Sequence, residues 1–201
     1  MLRITVLVSG GGTNLQAVID GIESGFIQDA EIGLVISSNP KAYSLERAKK
    51  HNIKYMVLGK TNYPDAEART NALINALDEA KTDLIILAGY MSILDSKMIE
   101  AYRGRIINIH PSLIPQFCGQ GFYGKHVHEA VLASGVSETG ATVHYVDEGI
   151  DTGPIILQEK VPVLEGDTAD TLAARVLKTE HKILREALKI VIISINKKGD
   201  R

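Results

Sequence analysis

Short apolar runs alternate with amphipathic stretches along the first 110 residues. Ile4–Val8, Ile32–Ile36, Lys54–Leu58, Leu84–Leu87 and Arg105–Ile109 are brief and aliphatic, and turn residues such as Ser9-Gly10-Gly11-Gly12 and Ser37-Ser38-Asn39-Pro40 close the first two. That texture predicts buried strands. Between them, Asn14–Ile22, Tyr43–His51, Asp65–Ala80 and Asp95–Tyr102 read as helices. Leu15, Val18, Ile19 and Ile22 show the helical spacing most clearly. The order βαβαβαβαβ predicts an α/β fold: a Rossmann-like, mostly parallel twisted sheet with right-handed crossovers and helices on both faces.

Beyond His110-Pro111 the pattern changes. Residues 111–125 hold two prolines and three glycines with no clean period, which predicts a long functional loop. A helix is expected over Lys125–Ser134, a half-buried strand over Ala141–Val146 and another over Ile155–Val163. Thr168 or Asp167 caps a last helix from Ala169 to about Ile193, and the K-K-G-D-R tail is expected to fray. With no repeat, low-complexity run or linker, residues 1–201 read as a single domain.

Composition changes this picture little. The chain has 201 residues, 45% hydrophobic and 23% charged, enough to bury roughly 70% of its unfolded surface without staples. A net charge of −2 gives no global basic field, so no nucleic-acid partner is expected. Cys118 is the lone cysteine and forbids an internal disulfide, which favours a reducing compartment. The N-terminal apolar run is too short for a signal-peptide core. Leu84–Ala88 and Ile190–Ile193 fall far short of the ~20 residues that span a bilayer. The expectation is a cytoplasmic protein without membrane association. The apolar stretch Ile190–Ile195 either packs internally or joins two subunits, so monomer and homodimer both stand.

Ser9–Asn14, S-G-G-G-T-N, falls between the first strand and the first helix. Glycines there let the backbone approach an anion, which free N–H groups and the helix dipole then hold. The plainer reading is a tight turn with Thr13 or Asn14 as N-cap. Leu15 stands where a dinucleotide fingerprint needs its third glycine, and no acid ends the second strand. No G-K-[ST] is present either. A small phosphorylated substrate fits better than NAD or a nucleoside triphosphate.

Period-two alternation puts Asn108 and His110 on one face at the carboxyl edge of the sheet, where open α/β folds bind ligands. A neutral histidine there serves as general acid or base, and an asparagine amide can donate to an oxyanion. The same pair could simply cap a strand. Asp151 lies in V-D-E-G-I-D-T-G-P. Folded over the sheet edge, it would orient His110 and raise its pKa. Asp147 and Glu148 read better as a solvated acidic hairpin. Met91–Leu94 could wall a planar apolar ligand or start a helix. His126-x-His128 lacks further ligands at zinc-like spacing, so no metal is expected. His144 reads as a hydrogen-bonded core residue, Cys118 as an incidental loop thiol, and Glu180-His181 as a solvated helix face.

V-S-G-G-G-T-N-L-Q-A (8–17), L-A-G-Y-M-S-I-L (87–94), N-I-H-P-S-L-I-P (108–115) and H-Y-V-D-E-G-I-D-T-G-P-I-I (144–156) together resemble the glycinamide ribonucleotide formyltransferases, folate-dependent enzymes of purine biosynthesis. The resemblance runs in order along nearly the whole chain. It implies formyl transfer from 10-formyltetrahydrofolate to glycinamide ribonucleotide, with no metal. Asn108, His110 and Asp151 match the catalytic trio. Gly12, Thr13 and Asn14 match the phosphate loop, and Glu180, in the segment Leu177–Glu180, completes the ribonucleotide site. Met91, Ser92, Ile93 and Leu94, with Asn108 and the loop Asp147, Glu148, Gly149, Ile150 and Asp151, match the folate pocket. Residues 1–110 would then be the phosphate-binding half, and 111–201 the folate-loop half with the C-terminal helix. Ser92 and Ala66 stand where relatives carry arginines toward the folate, so its glutamate tail is expected to be held differently. A formyltetrahydrofolate hydrolase, a tRNA formyltransferase and a non-catalytic phosphate-binding module are the rival readings.

Overall fold

The computed structural model describes residues 1–199, with side chains through Lys197. The elements are β1 Leu2–Val8, α1 Thr13–Glu23, β2 Ala30–Ser37, α2 Ser44–Lys50, β3 Tyr55–Val57, α3 Ala66–Glu79, β4 Leu84–Leu87, α4 Ser96–Ala101, β5 Ile106–His110, α5 Lys125–Ser134, β6 Glu138–Tyr145, β7 Ile155–Pro162 and α6 Ala169–Gly199. One seven-stranded sheet has the order β3-β2-β1-β4-β5-β6-β7. Its pairs are parallel from β3 through β5, and antiparallel for β5–β6 and β6–β7.

Strand residues alternate between two apolar layers, which is why helices cover both faces. On β1, Ile4, Val6 and Val8 pack with Leu15, Val18 and Ile19 of α1 and with Leu184 and Leu188 of α6. Leu7 turns the other way, toward Leu73 and Leu77 of α3 and Met98 of α4. Burying each such side chain contributes about 1.5–3 kcal/mol. The alternation continues on β5: Ile107 and Ile109 face α1 and α6, and Ile106 faces α3 and α4. Asn108 and His110 share the parity of Ile106, so they emerge on the α3–α4 side at the strand's end.

Three expectations change. β6 begins three residues early, at Glu138, where Glu138–Gly140 pairs with β7, and it is buried at all but its ends. It is not half-buried, because α6 packs across it. α6 continues past Ile193 through Lys197 to Gly199, where fraying was expected; Asp200 and Arg201 lie outside the described residues. Along it Val191 and Ile192 are buried while Ile190 and Ile193 are about half exposed. Thr168 caps α6 by accepting from the Thr171 N–H at 3.2 Å. Asp167 instead grips Arg175 through two bonds of 2.6 and 2.8 Å.

Candidate active site

β1 lies between β2 and β4, so the chain leaves β1 in one direction and returns on its other side. That switch opens a crevice at the carboxyl ends of the strands. Ser9, at the end of β1, ties its margins together. Its Oγ accepts from the Met91 N–H at 2.9 Å and shares a 2.6 Å bond with the Ser38 hydroxyl.

Gly12 is the N-cap of α1, with φ at 71°. A Cβ there would sit 2.6 Å from the Ser44 Cβ, so both backbone and space demand glycine. No side chain caps α1, so neither Thr13 nor Asn14 acts as its N-cap. α3 and α4 contrast with it: Asp65 accepts from Ala68 N–H at 2.7 Å and Asp95 from Lys97 N–H at 2.9 Å. Asn14 reaches sideways, its Nδ2 donating to Glu180 Oε2 at 2.7 Å, while its Oδ1 is buried without a partner. Glu180 is only 8% exposed, so it does not lie on a solvated face. Burial holds its carboxyl above the usual carboxylate range, against the opposing pull of the Asn14 bond.

At the other end of the crevice, Asn108, His110 and Asp151 converge. His110 Nδ1 is 3.6 Å from Asp151 Oδ2, and Asn108 Nδ2 donates to Asp151 Oδ1 at 3.3 Å. Asp151 has φ 58°, a left-handed conformation that aims its side chain back over the sheet edge. The loop that carries it is braced by Asp147, which accepts from Gly149 N–H at 3.1 Å and Thr152 Oγ1 at 2.6 Å. Any Cβ on Gly149 would meet Thr152 Oγ1 at 2.0 Å. Glu148 pairs with Arg103. The acidic segment is therefore braced internally, while Glu148–Ile150 remain exposed as expected for a solvated turn.

Three partners were missed in the sequence. His144 lies directly across β5–β6 from Asn108, whose Nδ2 is 3.2 Å from His144 Nε2. His144 Nε2 is also 3.6 Å from Asp151 Oδ1. Its Nδ1–H donates to its neighbour's carbonyl, Tyr145 O, at 2.7 Å, which leaves Nε2 as the acceptor facing Asn108. From the loop after Pro115, Phe117 O accepts from His110 Nε2–H at 2.9 Å and Gly119 N–H donates to Asp151 at 3.0 Å. The alternation of β6 marks the face of His144; only its antiparallel register reveals the partner.

Burial lowers the His110 pKa, outweighing the upward pull of Asp151 and of the Phe117 carbonyl. Asp151 does pull the ring upward, as expected, but desolvation of the buried imidazole outweighs that pull. Burial also pushes Asp151 up, but the His144 contact, the His110 charge and the Gly119 N–H together hold it below the usual value. The pair at neutral pH is a neutral imidazole beside a carboxylate.

A cavity of about 520 Å³ opens beside this cluster. Gly89–Leu94, Asn108–Pro111, Gly119–Gly124 and Val146–Asp151 line it. Met91, Ile93, Tyr123 and Ile150 are 41–83% exposed at its margin, an apolar rim suited to a flat organic ligand. Met91–Leu94 is not the start of a helix; α4 begins only after Asp95. An adjoining hollow of about 320 Å³ holds Ala66, Ser92 and, one helical turn from Ala66, Arg69. Gly12, Thr13, Asn14 and Glu180 form a separate group outside the larger cavity. His126 and His128 lie in the first turn of α5, His128 buried and His126 on Glu129. Cys118 donates to Pro115 O at 3.3 Å, between the two loop residues that hold His110 and Asp151.

The sequence matches the Formyl transferase family over residues 2–188. The chain belongs to that family. It is 45% identical to a trifunctional purine biosynthetic protein adenosine-3 of Drosophila pseudoobscura pseudoobscura over 190 residues, 94% of this chain but 14% of that protein. The chain thus spans about a seventh of that relative's length. It is 40% identical to phosphoribosylglycinamide formyltransferase of Escherichia coli over 182 residues, 90% of this chain and 83% of the other. A crystal structure of glycinamide ribonucleotide transformylase 1 from Symbiobacterium toebii superposes with a TM-score of 0.88 at 44% identity, covering 94% of this chain and 86% of that one. Among the described residues, no helix is long and apolar enough to cross a membrane.

Proposed function

We propose that the chain transfers the formyl group of 10-formyltetrahydrofolate to the amine of glycinamide ribonucleotide, giving formylglycinamide ribonucleotide and tetrahydrofolate for purine biosynthesis. One observation carries this reading. Asn108, His110 and Asp151 meet where an apolar-rimmed cavity adjoins the switch point that opens toward the glycine loop. The cavity takes the pteridine ring of the folate against Met91–Leu94 and the 147–151 loop. The glycine loop takes the phosphate, with Glu180 reaching in from α6 to the ribose side. The reacting groups then meet over Asn108 and His110.

The acceptor nitrogen attacks the formyl carbon, a new C–N bond forms, and the carbonyl oxygen becomes an oxyanion. Asn108 Nδ2 holds its two partners at 3.2 and 3.3 Å, long bonds that yield readily to a developing negative charge. His110 is fixed by the Phe117 carbonyl at Nε2, so Nδ1 is the nitrogen directed toward Asp151. Their 3.6 Å separation suits a bridging water. Through it the amine proton passes to the departing folate nitrogen as the old C–N bond breaks. Remote binding of the phosphate positions the amine for this attack.

The test is folate product formation with glycinamide ribonucleotide, without it, and with His110→Ala. Turnover that needs the ribonucleotide and is lost in the variant supports the proposal. Deformylation without acceptor indicates a hydrolase, and no reaction under either condition indicates a binding module.

A further inference from the structure

The glycine loop itself contains no cation. A phosphate dianion held only by backbone N–H groups keeps most of its charge uncompensated, and no Lys or Arg lies within Ser9–Asn14. The nearest cation comes from the second helix. Arg47 Nε donates to Gly11 O at 2.8 Å, and its Nη1 donates to Gln16 Oε1 at 3.1 Å. Its ring neighbour Tyr43 lies under the guanidinium carbon at 5.2 Å. These contacts fix the fork on the loop, one peptide before the uncapped start of α1.

Three further observations point to a ligand there. Arg47 makes no ion pair among the described residues, and two carboxylates of the neighbouring α1 are engaged elsewhere. Glu23 is on His51 at 2.7 Å, and Asp20 takes the Gln16 amide at 2.8 Å. Ser44, whose side chain is packed against Gly12, is fully buried and its Oγ has no partner. Asn14, at the head of α1, is nine-tenths buried with an orphaned Oδ1. Buried polar atoms are normally satisfied, so the orphaned Ser44 hydroxyl against Gly12 marks a place completed by something else, while Asn14 Oδ1, an acceptor, answers a ligand hydroxyl and not the phosphate. An unpaired guanidinium, uncapped helical N–H groups and a hydroxyl match a phosphate monoester.

We propose that Arg47 is the charge-compensating residue for the substrate's phosphate and so sets the preference for a phosphorylated over an unphosphorylated acceptor. This rests on the reading of the glycine loop as the phosphate site. Arg47 contributes through its remaining N–H donors while Nε stays on the Gly11 carbonyl, so it shapes the loop and meets the anion at once.

The experiment compares kcat/KM for glycinamide ribonucleotide with that for its unphosphorylated ribonucleoside in wild type, Arg47→Gln and Arg47→Lys, with inorganic phosphate as competitor. The expected result is that Arg47→Gln lowers the ribonucleotide-to-ribonucleoside ratio roughly 10- to 100-fold, with KM for the ribonucleotide carrying the change. Arg47→Lys restores part of the ratio, and phosphate inhibits the Gln variant correspondingly less. An equal loss on both acceptors assigns Arg47 a purely structural role and overturns the inference. An unchanged ratio overturns it as well. Failure of phosphate to compete in wild type overturns the phosphate loop itself, whereas competition that is equally strong in Arg47→Gln overturns only the role of Arg47.

Discussion

Around Asp151 the protein meets each carboxylate oxygen with a donor from its own chain, whereas around Gly12 it leaves partners out. The Asp151 carboxylate meets the Asn108 amide, the Gly119 N–H and two imidazoles. At Gly12, α1 starts without a cap, and Asn14 Oδ1 and Ser44 Oγ are buried alone. The difference separates two tasks. A reacting centre gains when its dipoles are fixed beforehand, because reorganisation then costs nothing at the moment of reaction. A binding subsite can leave donors open, since the ligand satisfies them on arrival.

The comparison breaks most visibly at Asp151. Asp151→Asn keeps an oxygen for Gly119 N–H but removes the charge beside His110. Turnover should fall at least about a hundredfold while the thermal unfolding temperature stays near wild type. Full activity in that variant would remove Asp151 from the chemistry.

His144→Phe probes the same unit from one step away. The substitution keeps a ring in the strand and removes the acceptor facing Asn108. The expected loss in kcat is about tenfold, with little change in KM for either substrate. On the Asp151→Asn background the same change should cost much less, because the two residues act through one network. Additive losses would show that His144 works independently.

The two ends were also unequally legible in the sequence. The glycine loop announced itself because its residues are contiguous, and Asn108 and His110 because a strand's period links them. The contacts of Asp151 to His144 and Gly119 N–H, and of His110 to Phe117 O, depend on an antiparallel register and on an irregular loop, and neither has a local period to read. For Glu180, which the resemblance places in the ribonucleotide site, only the reading of a solvated face is overturned, for another reason. Its own helix pattern suggests a polar face, and only the packing of α6 against α1 encloses it with Asn14. The net direction of the His110 pKa could not be read either, since it is set by burial that only the folded chain defines.

A smaller effect sharpens the binding end. Glu180 is buried beside Asn14 with its pKa raised by desolvation. Its folded form therefore holds a proton more tightly than the unfolded chain does. Between the ordinary carboxylate pKa of about 4.3 and the raised folded value, the unfolded chain binds fewer protons, so stability falls as pH rises. Glu180→Gln keeps an acceptor for Asn14 Nδ2 and cannot ionise. Its unfolding temperature should match wild type near pH 4 and exceed it by about 2–4 °C at neutral pH. The same variant should weaken ribonucleotide binding. A variant less stable than wild type at every pH would mean that the carboxylate is a net structural asset there.

The finest test returns to His110. Burial lowers its pKa and Asp151 pulls it back up. Below its ordinary value of about 6.5, the unfolded chain takes up a proton that the folded imidazole resists, so this group's contribution to stability is lost as pH falls through that window. Removing the Asp151 charge takes away the opposing pull. In Asp151→Asn the His110 ring should therefore titrate lower still, followed by NMR of the imidazole resonances. His181, whose own pKa is lowered by burial and by the Arg185 charge with no contribution from His110 or Asp151, serves as an internal reference. A His110 titration that rises in Asp151→Asn would show that the carboxylate acts on the ring through desolvation and not through charge.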